Sequence, residues 1–159
     1  EVEVTLPQES GWIASPDSSD ENAEKTVVRN YTFNETTIVS LTVVLTWSDS
    51  DAEHAETDEG SEPDSLILTV EGGGYKESKS GENPKGGTGR IEITIPGENT
   101  TTEGYLPNEW EVTISGKEFG GGKPAYIVPR PGVVIPNMFV YVDQGAAWTL
   151  EIKYTYMKF

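Results

Sequence analysis

The 159-residue chain contains no cysteine, two methionines and a single histidine, His54. Without cysteine there is no disulfide framework and no thiol chemistry. With one imidazole and no thiolate, neither a zinc site nor a catalytic triad can be assembled by ordinary spacing. His54 lies among acidic residues, and we interpret it as a surface residue. These absences direct attention away from several enzyme classes.

Positive charge and long apolar runs are also scarce. The chain has 11 Lys and Arg against 27 Asp and Glu, a net charge of −16. A surface this acidic repels phosphates, so we expect no nucleic-acid partner. The longest weakly charged run, residues 125–142, carries Arg130 and three prolines, which break a helix well short of the roughly 20 apolar residues that a membrane requires. We therefore expect no membrane span.

The sequence does contain repeated alternation of apolar and polar residues, and no segment keeps a helical period for three turns. Each predicted strand therefore has one apolar and one polar face, which is typical of antiparallel sheets packed face to face. The predicted fold is all-β, an antiparallel two-sheet β-sandwich of the jelly-roll or Ig-like kind. Strands are predicted at residues 2–6, 26–33, 37–47, 65–71, 89–95, 110–116, 125–128, 133–142 and 147–157. The predicted core includes Leu41, Val43, Leu45, Trp110, Val112, Trp148, Leu150 and Ile152.

The N-terminal residues differ from the rest of the chain. Val2, Val4 and Leu6 alternate strictly with polar residues, whereas residues 7–24 have a polar composition that usually frays. The sequence therefore predicts a detached N-terminal strand followed by a polar linker. Val2, Val4 and Leu6 are the candidate subunit-interface residues of this strand.

This difference divides the chain into two predicted parts. Residues 1–25 form the strand and linker, a candidate donor strand, and residues 26–159 form the β-sandwich domain. Trp12 lies within the linker. We interpret it as an anchor that holds the linker to a sheet, the alternative being a platform on which a sugar stacks.

A long acidic loop, residues 48–64, separates two predicted strands and contains no Lys or Arg. Asp49 and Asp51 follow the first strand and Asp64 precedes the second, so strands that are close in space would bring these residues to one rim. Carboxylates in a flexible loop suit Ca²⁺, which takes about six to eight oxygen ligands. A Ca²⁺ site formed by Asp49, Asp51 and Asp64 is one interpretation, and a solvated charged loop is the other.

Three N-glycosylation sequons begin at Asn30, Asn34 and Asn99. If Val27 lies on the core-facing side of its strand, Asn30 lies on the opposite face. Asn34 ends the same strand, and Asn99 lies in a polar loop. A chain that starts at Glu1 is what a processed secretory precursor or an excised ectodomain would show. We therefore expect an extracellular or cell-surface protein.

Four segments carry a resemblance to a known family: residues 41–49 (LTVVLTWSD), 63–70 (PDSLILTV), 108–114 (NEWEVTI) and 147–152 (AWTLEI). Through them, residues 37–157 resemble the jelly-roll modules appended to secreted proteases, known as P-domains and pre-peptidase C-terminal domains. In that family a Gly-Xaa-Trp strand comes late, and here Asn108-Glu-Trp stands in its place. The chain is also similar to small secreted archaeal surface proteins with the same order of strand, acidic loop and strand. The resemblance implies a non-catalytic surface module, often with bound Ca²⁺.

Two hypotheses of function remain open. The first is a self-assembling surface protein that resembles pilins and fibre subunits built by donor-strand complementation, in which the terminal strand of one subunit fills a groove in the next. The second is a monomeric accessory or adhesion module that binds carbohydrate or protein through residues 72–89 and 116–124. We expect no enzyme, because no pair among the many carboxylates is distinguished by an apolar, pKa-raising setting.

The sequons generate a first prediction. Protein purified from its native source should carry a glycan on at least one of Asn30, Asn34 and Asn99, because secretion would expose these residues to glycosylating enzymes. Intact-mass spectrometry, followed by mapping of peptides, measures this directly. An unmodified mass at all three positions would contradict the prediction and remove the main support for secretion.

Overall fold

A computed structural model describes the fold over most of the chain, namely residues 1–14, 24–49, 64–84, 87–97, 103–118, 124–128, 137–140 and 145–159. These residues form eleven strands and no helix, so the described part has no helix that could cross a membrane. The strands are β1 (Val2–Thr5), β2 (Glu9–Ala14), β3 (Thr26–Thr32), β4 (Ile38–Asp49), β5 (Ser65–Gly72), β6 (Tyr75–Glu82), β7 (Thr88–Ile95), β8 (Glu109–Glu118), β9 (Pro124–Val128), β10 (Asn137–Val140) and β11 (Gly145–Tyr156).

The strands form two main antiparallel sheets that pack face to face. The first sheet has the order β1–β11–β4–β7, and β2 also pairs with β11. The second sheet has the order β3–β8–β5–β6, and β9 and β10 make a separate pair. The predicted antiparallel two-sheet sandwich is confirmed.

The core lies between the two sheets because alternate residues of each strand turn inward. In β7, Ile91, Ile93 and Ile95 are buried while the residues between them are exposed, and β5 alternates in the same way. Burying each such aliphatic side chain contributes about 1.5–3 kcal/mol. The eight residues predicted for the core all belong to one buried cluster: Leu41, Val43, Leu45, Trp110, Val112, Trp148, Leu150 and Ile152.

The predicted N-terminal strand is present as β1, whereas residues 9–14 of the predicted linker form a further strand, β2. β1 and β2 both pair with β11 of the same chain, so residues 2–14 form one edge of the first sheet. Periodicity did not predict β2, because Pro7 and Gly11 interrupt the apolar alternation. Only Ile13 and Ala14 of this strand are buried. Residues 15–23 lie outside the described part of the chain.

A second strand, β6, lies where a loop is predicted between residues 72 and 89. Gly73 and Gly74 form the turn from β5 with φ values of 48° and 93°, which glycine adopts without strain. Two central residues with positive φ are typical of a tight two-residue β-hairpin. Gly73 and Gly74 therefore form a hairpin turn, which brings the polar β6 alongside β5.

Trp148 should be among the most costly core residues to truncate. Trp148 is 2 % exposed, whereas Trp12 on β2 is 42 % exposed. Replacing Trp148 with Ala should lower the free energy of unfolding by about 3–5 kcal/mol, because a large buried aromatic leaves a cavity. Urea unfolding followed by circular dichroism gives this value, with Trp12→Ala as the control. Equal effects of the two substitutions would contradict the burial pattern.

Candidate functional site

The candidate site is the position that the N-terminal strand occupies, which we call the strand seat. It consists of the free side of β11 together with the inner face of β3, and β1 and β2 fill it. From Thr5 to Glu9 the edge advances four residues, while β11 advances three, from Lys153 to Leu150. One extra residue is therefore accommodated between β1 and β2, as in a β-bulge. With this bulge, the terminal segment follows almost the whole of β11.

The predicted interface residues lie on the inner side of this segment. Val2, Val4 and Leu6 are half-buried, and Val4 and Leu6 pack against the core cluster. Ile13 and Ala14, which sequence reasoning missed, are more deeply buried at 0 % and 1 % exposure. The signal that marks them is that they are consecutive apolar residues in an otherwise polar stretch. The strongest apolar anchor of the seat is therefore at the end of β2.

Gly11 shapes the middle of the seat. A Cβ atom on this residue would lie 2.6 Å from Cζ2 of Trp148, closer than real side chains approach. The indole of Trp148 therefore lies directly against the backbone of β2. Its Nε1 is buried and has no hydrogen-bond partner among the described residues. The absence of a side chain at Gly11 is what allows this close packing.

A polar cluster joins β2 to β3 across the two sheets. Oε2 of Glu9 lies 3.4 Å from Nε of Arg29, and the Arg29 guanidinium lies 5.6 Å from the ring centroid of Trp148, within cation–π range. Burial raises the pKa of the Tyr31 hydroxyl, and the charge of Glu9 and a hydrogen bond to its carboxylate raise it further. Glu9 and Arg29 side chains are 42 % and 38 % exposed, so this ion pair contributes at most about 1 kcal/mol.

The outer side of the seat carries a second set of polar contacts. Nε2 of Gln8 donates to the Glu151 carboxylate at 3.0 Å, and the Ser10 and Thr149 hydroxyls are 3.3 Å apart. The pKa of Glu151 is lowered, and the hydrogen bond from Gln8 is the largest cause. These contacts fix the bulge between β1 and β2 against β11.

Of the three predicted calcium ligands, only Asp64 has its side chain among the described residues. Asp64, predicted at an open rim, is completely buried. Its backbone amide donates to Oδ1 of Asn83 at 2.6 Å, and its carbonyl accepts from the Asn83 amide at 3.2 Å and from Nε1 of Trp47 at 3.3 Å. The side chain of Asp49 and all of Asp51 lie outside the described residues. Asp64 is therefore part of a buried network where β4 ends and β5 begins.

A buried carboxylate still fits the chemistry of a calcium ligand. Burying a charge is expensive unless hydrogen bonds or a cation compensate for it, and carboxylate oxygens are hard ligands. Among the described residues, no group of three or more acidic, His or Cys side chains is arranged to hold a metal. Because the side chain of Asp49 and all of Asp51 lie outside the described residues, the calcium site stays a prediction centred on Asp64.

The sequons that fall within the described residues are accessible. Asn30 is exposed on the outer face of β3, and Asn34 is exposed just after β3 ends. Asn99 lies outside the described residues. β3 is the edge strand of the second sheet, so modification at Asn30 would place a bulky group beside an open sheet edge.

No protein-family model matches this chain, and no curated protein sequence matches it. The resemblance to jelly-roll modules therefore depends on the quoted segments alone. What the geometry defines is an antiparallel β-sandwich whose first strands form an edge of one sheet.

The buried Asp64 generates a test for calcium. Ca²⁺ that binds only the folded state should raise the melting midpoint, by the equivalent of about 2.7 kcal/mol at a hundredfold excess over Kd. The melting midpoint is measured with Ca²⁺, then with chelator, and with Mg²⁺ at equal ionic strength as the control for screening of the acidic chain. Asp64→Asn should abolish the calcium-specific increase. Identical midpoints in all three conditions would favour the solvated-loop interpretation.

Proposed function

We propose that this chain is a non-catalytic extracellular structural protein, a subunit of a self-assembling cell-surface filament. Residues 1–14 of one subunit occupy the strand seat of the next, in the manner of donor-strand complementation. The observation that carries the proposal is the strand seat itself, because residues 1–14 fill a sheet edge with main-chain pairing and alternate inward-facing side chains.

The same contacts can be made within one subunit or between two. Because β1 and β2 pair only with β11 among the described strands, they can leave the seat without breaking the pairing of another strand. An identical segment from a second copy then makes the same hydrogen bonds and apolar contacts. Exchange of identical elements is a low-cost route to assembly.

The connection between β2 and β3 supports exchange. The Ala14 amide donates to the Glu24 carbonyl at 2.7 Å, so the two ends of the connection are adjacent when the strand lies in its own seat. The nine residues 15–23 between them span roughly 30 Å when extended. This length is enough to carry β2 into the seat of a neighbouring subunit.

Exchange in one direction propagates. A subunit that donates its terminal strand leaves its own seat open, and the exposed side of β11 then requires a strand from a third copy. A head-to-tail contact that does not close produces a filament. Asn30 and Asn34, exposed near the edge formed by β3, are proposed to carry glycans that keep this second edge from pairing.

The alternative function is a monomeric, Ca²⁺-stabilised accessory or adhesion module. The observation that favours it is that β1 and β2 already fill the strand seat of their own chain. Such a module would bind carbohydrate or protein through its loops. Of the two predicted loops, residues 72–89 contain β6, and residues 119–123 of the other lie outside the described part of the chain.

Engineered cysteines distinguish the two functions in a chain that has none of its own. The Leu6 amide donates to the Ile152 carbonyl, so alternation makes Glu3 and Thr155 a non-hydrogen-bonded pair with Cα atoms about 4.5 Å apart, which suits a disulfide. Glu3→Cys and Thr155→Cys chains are unfolded, mixed and refolded together at about 1 mM, then oxidised. Exchange predicts disulfide-linked heterodimers joined between positions 3 and 155.

The matched control is a mixture of Thr42→Cys and Thr94→Cys, a register pair on β4 and β7, strands that the proposal does not exchange. Peptide mapping by mass spectrometry identifies each linkage. Heterodimers above this control support the filament. If the double variant Glu3→Cys/Thr155→Cys closes only within one chain and the mixture matches the control, the monomeric module takes its place.

A further inference from the structure

We infer that Glu9 and Gly11 determine which strand the seat accepts. The seat selects a carboxylate that pairs with Arg29 and, two residues later, a glycine that admits the indole of Trp148. The occupant we propose in an assembly is the N-terminal strand of a second copy of this chain. That a second copy enters the seat rests on the proposed function; the selection itself rests on the geometry.

The steric part of this selection lies at Gly11. A Cβ at this position would lie 2.6, 2.9 and 3.2 Å from Cζ2, Cε2 and Nε1 of Trp148. Trp148 cannot withdraw easily, because it is 2 % exposed and Arg29 lies over its ring. A strand with any side chain at this position must therefore shift away from β11 or displace the indole.

The electrostatic part lies at Glu9. It is the only charged residue on the inner side of β2, and it faces the guanidinium of Arg29 at 3.4 Å. Burial and the charge of Glu9 raise the pKa of the Tyr31 hydroxyl, as expected where this group lies near the same carboxylate. A neutral residue at this position would leave the guanidinium without its carboxylate, and a basic residue would repel it. Since Arg29 and Tyr31 belong to β3, this recognition joins the incoming strand to the second sheet.

The apolar contacts of the seat do not provide this discrimination. Val4 and Leu6 pack against the core as alternate residues of an edge strand, and most strands of this chain have the same alternation. Specificity requires a feature that penalises the wrong strand. The contact of Gly11 with Trp148 and the pairing of Glu9 with Arg29 supply such penalties.

Binding of labelled peptides to the full-length wild-type chain tests this selection. The peptides comprise residues 1–14 with the natural sequence or with Glu3→Gln, Glu9→Gln or Gly11→Ala, and fluorescence anisotropy reports their binding. Glu3 is exposed on the outer side of β1, so Glu3→Gln removes the same charge without touching the cluster. We expect equal affinity for the natural and Glu3→Gln peptides, roughly fivefold weaker binding of Glu9→Gln and no binding of Gly11→Ala.

Hydrogen exchange in full-length variants provides a second measurement that does not depend on assembly. Glu9→Gln should accelerate amide exchange in β1 and β2 by roughly fivefold relative to Glu3→Gln, with the remaining strands unchanged. Equal exchange in the two variants would overturn the inference. If Glu9→Gln accelerates exchange but the natural peptide does not bind, the selection stands and the proposed strand exchange fails.

Discussion

Trp47 and Trp148, which are register partners on β4 and β11, are the two residues on which both candidate sites depend. Both indoles are almost completely buried, at 1 % and 2 % exposure. Trp148 extends to Gly11 and Arg29 in the strand seat, whereas Nε1 of Trp47 reaches the carbonyl of Asp64. One pair of large side chains thus positions the terminal strand and the buried acidic residue.

Charge acts on assembly separately from these contacts. With a net charge of −16, two copies of the chain repel each other, and salt or divalent cations reduce that repulsion. The seat itself is formed mainly by main-chain hydrogen bonds and apolar side chains, which salt weakens little. Glu9 and Arg29 are the exception, because their partly exposed ion pair is screened as well. Added salt should therefore promote the approach of subunits while relaxing the selection at this pair.

Sequence periodicity predicts the strands that have one fully buried face. β5 and β7 follow strict alternation, and both were predicted within a few residues of their bounds. Periodicity does not predict β2 and β6, because tertiary contacts determine where these strands form. β6 is brought to β5 by the turn at Gly73 and Gly74, and Nζ of Lys79 donates to the Glu92 carbonyl on the other sheet at 3.0 Å. Neither the turn nor this hydrogen bond requires an alternating apolar pattern, so neither can be predicted from sequence periodicity.

The candidate site was predictable in its apolar half only. Val4 and Leu6 alternate, so their inward direction follows from the strand period. Glu9 and Arg29 are 20 residues apart in the chain and lie on different sheets, so their pairing depends on how the sandwich closes. The burial of Asp64 likewise depends on Asn83, which comes from the connection between β6 and β7. Local pattern contains no information about contacts made between sheets.

For the proposed filament, the balance with a closed monomer would be set by concentration more than by contact energy. Exchange keeps every contact of the seat, so its free energy reflects the loss of translational freedom and the tethering of the terminal strand through residues 15–23. A connection of nine residues would hold the strand near its own seat at an effective concentration on the order of millimolar. A dilute chain would then close on itself, whereas chains crowded at a surface would compete for each other's seats. The proposed assembly would therefore need no change in the fold, because the local density of subunits alone would shift the equilibrium.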